Sequence, residues 1–273
     1  MFKNTDLFPS KPECSLSAYI HEEDSSLRPA VIVCPGGGYN NLSAREADPV
    51  AMHYYNAGLN AFVLRYSVAK KAINYAPLIE AAMAIKQVRQ NAAEYNVDPK
   101  KIIICGFSAG GHLAGSAGIL WNIPEVRDAI GVTDGSAPEG INRPDGMILS
   151  YPVITADEYT HKGSIKNLSG KDEYDESDIE KFSLERHVDS TTPPMFIWHT
   201  ANDSIVNIKN SLMLIDACVE NATPFEAHIY PSGPHGMSLC NKLTWDDNPK
   251  NISEHVGTWK DLSLMWIDET FNK

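Results

Sequence analysis

Hydrophobic and polar positions along the chain alternate between two textures: short β-branched apolar runs, and longer stretches with helical spacing. Residues 30–34 (AVIVC), 60–66, 101–105 (KIIIC), 147–154, 195–199 and 225–230 are of the first kind. Runs with no polar position predict strands covered on both faces, and KIIIC, the most apolar, predicts a central one. Residues 15–21 predict an early strand at the edge of the sheet. Helical spacing predicts helices over 47–57, closed by Gly58, then 77–95, 208–220 and 259–271. In 77–95, Leu78, Ala81, Ala82, Ile85, Val88 and Ala92 form one stripe, with Glu80, Lys86, Arg89 and Gln90 largely off it. Strand and helix in alternation predict βαβ units and a mainly parallel sheet.

Two segments break this rhythm. Residues 122–143 are rich in Gly, Pro and Asp; residues 155–194 are long, polar and acidic. Both follow predicted strand ends or the helices after them, where insertions commonly shape the rim of a site. With 273 residues, the chain is expected to be a single α/β domain over 1–273, with these two as rim or lid insertions.

Composition narrows the function classes. Hydrophobic residues make up 43% and charged residues 21%, an ordinary globular balance that excludes global disorder. The net charge of −12 disfavours nucleic acid or an anionic membrane as partner and favours a neutral small molecule. Residues 1–20 hold no apolar leader core, and no later stretch is long and apolar enough to cross a bilayer, so a complete chain would be cytoplasmic. The five cysteines are odd in number and lack CxxC spacing, which predicts reduced buried thiols. Neither a metal nor another cofactor is expected. A homo-oligomer stays open.

The chemistry concentrates in Gly106-Phe107-Ser108-Ala109-Gly110. A G-x-S-x-G match arises by chance about 0.1 times in such a chain, so context has to decide. The motif follows the best strand and precedes a helix of small residues, Gly111 and Ala114 to Gly118. A strained strand–turn–helix needs that, and the helix start adds free N–H groups and a positive dipole end beside Ser108. A serine nucleophile needs a base. Of nine histidines, His235 stands in the turn-forming PSGPHG just after the last strand, whereas His199 and His228 lie within strands and His112 points away from Ser108. Asp203, after strand 195–199, can orient the imidazole; Asp157 and Asp216 are weaker substitutes. The expected set is therefore Ser108, Asp203 and His235. An imidazole base loses activity as pH drops through roughly 6–7. Oxyanion donors are expected from the N–H of Ala109 and from Gly37 and Gly38 in PGGGY, which is no phosphate loop because no Lys-Ser/Thr follows.

On these residues, together with 193–203 and Gly233-Pro234-His235-Gly236, the chain resembles α/β-hydrolases of the acetyl xylan esterase and hormone-sensitive-lipase-like (BD-FAE-like) type. The resemblance implies an α/β-hydrolase fold: a mostly parallel eight-stranded sheet with helices on both faces. It also implies hydrolysis of short-acyl esters through an acyl-enzyme. Pro35 stands where lipase relatives carry the His of His-Gly-Gly-Gly, which points to the branch assigned to acetylated sugars, and because the first strand comes so early no lipase-like N-terminal cap is expected. The substrate expected is an acetylated carbohydrate in an open pocket, with Tyr39, Trp121 and Tyr151 as candidate stacking residues. Alternatives are a peptidase or formamidase on the same fold, or a binding protein that keeps the fold without catalysis.

Overall fold

The computed structural model describes residues 2–8, 11, 13–24, 26–133, 135 and 137–272. Eight strands form one sheet: β1 (Phe2–Asp6), β2 (Ser15–Tyr19), β3 (Arg28–Cys34), β4 (Asn60–Arg65), β5 (Val97–Phe107), β6 (Gly146–Ser150), β7 (Met195–Thr200) and β8 (Phe225–Tyr230). Their order is β1-β2-β4-β3-β5-β6-β7-β8. β1 and β2 run antiparallel to their neighbours, and β4, β3 and β5 to β8 are mutually parallel. The helices are α1 (Asp48–Asn56), α2 (Ala76–Gln90), α3 (Ala109–Ile119), α4 (Pro124–Ala129), α5 (Lys162–Ser169), α6 (Glu176–Phe182), α7 (Lys209–Glu220), α8 (Glu254–Gly257) and α9 (Trp259–Phe271).

The unbroken apolar runs have the expected cause. Ile32, Ile104, Leu149 and Ile197 face one core with α2, α3 and α7. Val33, Ile103, Cys105, Ile148 and Trp198 face the other, with α1 and α9. Each central strand thus buries both pleats, and β5 sits in the middle.

Two expectations need correction. The edge strand is β1, which pairs with β2, so 15–19 lies one position in. Glu80, expected largely off the apolar stripe of α2, is fully buried. Its carboxylate accepts hydrogen bonds from the Ser67 N–H (2.7 Å), the Ser67 hydroxyl (2.6 Å) and Lys11 Nζ (3.0 Å), which satisfy it inside the core.

Parallel strands end on the same side of the sheet, and that edge carries the residues expected to do chemistry. The loops after β3, β5, β6, β7 and β8 deliver Gly36 to Gly38, Ser108, Tyr151, Asp203 and His235 respectively.

Candidate active site

Ser108 sits between β5 and α3 in left-handed backbone, φ 54° and ψ −117°. A β-carbon at Gly106 would overlap the Gly110 carbonyl oxygen, and one at Gly110 would overlap the carbonyl oxygens of Cys34 and Pro35. Only hydrogen fits at either position, so the turn can be this sharp. The Ser108 N–H donates to Ser150 O (3.0 Å), while Ser108 O accepts from the N–H groups of His112 (3.0 Å) and Val153 (3.1 Å). The strained residue is held from both β6 and α3.

The three residues expected to meet do meet. The Ser108 hydroxyl and His235 Nε2 are 2.8 Å apart, and His235 Nδ1 lies 2.6 Å from Asp203 Oδ2. The Asp203 side chain is fully buried. Its Oδ1 accepts the N–H groups of Ile205 (2.9 Å) and Val206 (3.0 Å). Burial alone would raise the Asp203 carboxyl. Hydrogen bonds from His199 and His235, the His235 charge and the Ile205 amide together hold it well below the usual carboxylate range. Asp203 therefore stays ionised wherever an imidazole can act as base.

Gly37 and Gly38 lie in the loop after β3 and line the same cleft as Ser108, and among the described residues their N–H groups have no protein acceptor. Ala109 is the first residue of α3, so its N–H has no intrahelical partner. The Gly38 carbonyl accepts from Asn167 Nδ2 of α5 (2.9 Å), which braces this loop from the far side.

The cleft holds about 460 Å³; among the described residues its apolar side chains are Leu42, Ala44 and Ile205, and Ser43, Arg45, His161 and Asp246 are among its polar ones. His161, from the segment 155–194, precedes α5 and accepts the Ser164 N–H at Nδ1 (3.3 Å). Among the described residues, none of 122–143 lines this cleft; Pro138 to Ile141 and Arg143 border a separate groove with Trp121.

The three aromatics expected to stack on a sugar are buried instead. Tyr39 hydrogen-bonds His112 Nδ1 (2.9 Å). Trp121 donates to Thr191 Oγ1 (3.1 Å), away from Ser108. Tyr151 packs edge-on against the His235 ring, 4.9 Å between centroids, and none of the three lines the Ser108 cleft. The rings of Tyr39 and Tyr151 fill core space, and the Arg143 guanidinium stands over the Trp121 ring, 5.6 Å from its centroid. Two other histidines are buried and committed elsewhere. His112 donates to the Phe182 carbonyl from Nε2 (2.9 Å), and His199 lies between Ser211 Oγ and Val206 O.

Sequence reasoning did not single out Glu46, Arg45 or His161. Glu46 is buried, yet nothing in SAREADPVA separates a buried carboxylate from a solvated one. Among the described residues, no cluster of three His, Cys, Asp or Glu side chains could hold a metal ion, and no helix is long and apolar enough to cross a membrane.

A mostly parallel sheet with a serine at the β5–α3 elbow, an aspartate after β7 and a histidine after β8 is an α/β-hydrolase fold. Within that class, the chain belongs to the BD-FAE family, whose model matches residues 16–217. It is 40% identical over 235 residues to endo-1,4-beta-xylanase B of Butyrivibrio fibrisolvens, covering 83% of this chain and 35% of that protein. It is 31% identical over 235 residues to the acetylxylan esterase of Xylanibacter ruminicola, covering 84% of this chain and 45% of that protein. The chain thus spans less than half the length of either relative. Among solved structures, the acetyl ester-xyloside bifunctional hydrolase of Caldicellulosiruptor lactoaceticus superposes with TM-score 0.83 at 33% identity, covering 98% of this chain and 96% of that one.

Proposed function

We propose that this chain is a serine carboxylic-ester hydrolase that removes acetyl groups from acetylated sugars or xylo-oligosaccharides through an acyl-enzyme. The observation that carries the reading is the unbroken hydrogen-bonded line from Ser108 through His235 to Asp203, at 2.8 and 2.6 Å.

Ser108 Oγ adds to the ester carbonyl as its proton passes to His235 Nε2. Asp203, ionised and fixed by two backbone N–H groups, stabilises the imidazolium and holds Nδ1–H toward itself. The N–H of Ala109 and those of Gly37 and Gly38 receive the oxyanion, each worth about 3 kcal/mol of barrier where aligned. His235 then returns the proton to the departing sugar hydroxyl, leaving an acetyl ester on Ser108. A water molecule repeats the sequence and releases acetate.

The cleft supports the substrate class. With three small or single apolar side chains along it, a long acyl chain finds little surface to bury, while a polar alcohol finds many partners. The acetyl-ester activities in the names of two relatives point the same way.

The test is hydrolysis of p-nitrophenyl acetate, butyrate and octanoate by wild type and Ser108→Ala, followed by acetate release from acetylated xylo-oligosaccharides. The expected result is a loss of roughly 10⁴-fold or more in kcat for the variant, with acetate the best acyl group. Equal activity of the two proteins would remove Ser108 as nucleophile. Turnover of an aminoacyl arylamide or formylated amine with negligible ester turnover would move the reading to a peptidase or formamidase.

A further inference from the structure

Glu46 ends the single helical turn Ala44–Glu46 and is only 3% exposed. Its Oε2 accepts the Gly36 N–H (2.9 Å), in the loop after β3. Its Oε1 accepts the Tyr151 hydroxyl (2.7 Å), in the loop after β6. That hydroxyl in turn accepts the Ser238 N–H (3.0 Å), three residues beyond His235. The chain of donors therefore runs one way, from the Ser238 amide to the Tyr151 hydroxyl to the Glu46 carboxylate.

Resting on the hydrolase reading above, we propose that Glu46 is a positioning residue: it joins the oxyanion loop to the histidine loop and holds both in register with Ser108. Glu46 comes close to the turn that carries Ser108. A β-carbon at Gly36 would lie 2.7 Å from Glu46 Oε2, 2.7 Å from the Phe107 carbonyl oxygen and 3.1 Å from Ser108 Cβ, so all three crowd the same side of Gly36. Arg45 reinforces the joint from the neighbouring position. Its Nη1 donates to the carbonyls of Gly236 (2.9 Å) and Thr244 (3.1 Å), and its own carbonyl accepts the Ser238 hydroxyl (2.7 Å). Two consecutive residues thus bind the segment that carries His235, while Tyr151 packs its ring edge-on against that imidazole.

The chemistry requires an acceptor on both sides. The amides of Gly36 and Ser238 can only donate, so the Tyr151 hydroxyl accepts from Ser238 and turns its single proton to Glu46. A carboxylate accepts at both oxygens with the help of its charge, whereas a glutamine side chain accepts at one and can meet Tyr151 only by donating its NH₂ to the hydroxyl oxygen, which reverses that arm. Glu46→Gln keeps the shape but removes the charge that strengthens both arms and reverses the Tyr151 one, a change a space-filling role would tolerate.

The experiment compares wild type, Glu46→Gln and Tyr151→Phe by amide hydrogen exchange and by kcat and KM on p-nitrophenyl acetate. Glu46→Gln is expected to speed exchange in peptides spanning both 35–42 and 232–244. It should also lower kcat on the order of 10- to 100-fold, with KM within about twofold. Tyr151→Phe should speed exchange in 232–244 alone, which keeps the test decisive if the Glu46 variant does not fold. Unchanged exchange in both segments, or a kcat within about twofold of wild type, overturns the proposal. If the wild-type protein cleaves no ester, the hydrolase reading falls, and the exchange arm alone still decides whether Glu46 ties the loops.

Discussion

Gly110 has no room for one more carbon, because the backbone oxygens of Cys34 and Pro35 already occupy the place where it would go. A side chain can rotate away from such a contact; two carbonyls at the end of a central strand cannot. Gly110→Ala should therefore cost about 3 kcal/mol or more, at the top of the range for overpacking. Denaturant unfolding checks this, and a loss under about 1 kcal/mol would mean the elbow yields. His112, one turn on, makes a second prediction. Burial pushes it down to about 4, against the opposing hydrogen bond to the Phe182 carbonyl. In the unfolded chain an imidazole takes its proton near pH 6.5, so between pH 6.5 and 4 the unfolded state binds more protons and stability falls with pH. The loss attributable to His112 is on the order of 3 kcal/mol over that window. Melting curves of wild type and His112→Gln at pH 7 and 4.5 should show the flatter dependence in the variant; equal slopes would assign the effect elsewhere. At this scale the sequence is uneven. Ser108, Asp203 and His235 could be grouped because each follows an apolar run whose end locates it. Glu46, Glu80 and His161 could not, since their burial or their place on the cleft depends on neighbours far away along the chain, such as Tyr151 and Lys11.

Strands with two buried faces announce themselves, and strands without one do not. Residues 30–34, 60–66, 101–105 and 225–230 were legible as elements because both pleats, or the turn residues bounding them, leave a mark in the sequence. β1 escaped because its positions alternate only between exposed and half-buried, so FKNTD carries no apolar period. The rims were legible as interruptions only. That 155–194 contributes His161 to the cleft while 122–143 borders another groove follows from the side of the sheet each reaches. The place of β1 in the sheet makes a prediction. It lies four strands from β5, about 19 Å at a strand spacing of about 4.8 Å, and on the opposite flank from β7 and β8. Removing residues 1–6 should lower the melting temperature, since β2 becomes an open edge, yet leave kcat for p-nitrophenyl acetate within about twofold. A tenfold fall in kcat, with the protein still folded, would show that the geometry at Ser108 depends on the far edge of the sheet.

Charge acts on the molecule as a whole. A net charge of −12 surrounds a cleft whose own lining mixes Arg45 with Glu46 and Asp246. The neighbouring groove, reached past Gly38 and Asn167, carries Lys70, Lys166 and Lys171, but Lys171 is already paired with Asp175 and Asp178. Over a Debye length of about 8 Å at physiological salt, the approach of a substrate is governed by the summed field more than by any single pair. An anionic ester should then be repelled, and a neutral acetylated sugar should be indifferent. For an acetylated xylo-oligosaccharide bearing a carboxylate, kcat/KM is expected to rise between 20 and 300 mM salt, because screening removes the repulsion; for its neutral counterpart it should stay flat. A fall with salt for the anionic substrate would reverse the argument. It would mean that Lys70 and Lys166 dominate the path to Ser108, and that the local groove, rather than the net charge, selects what reaches that serine.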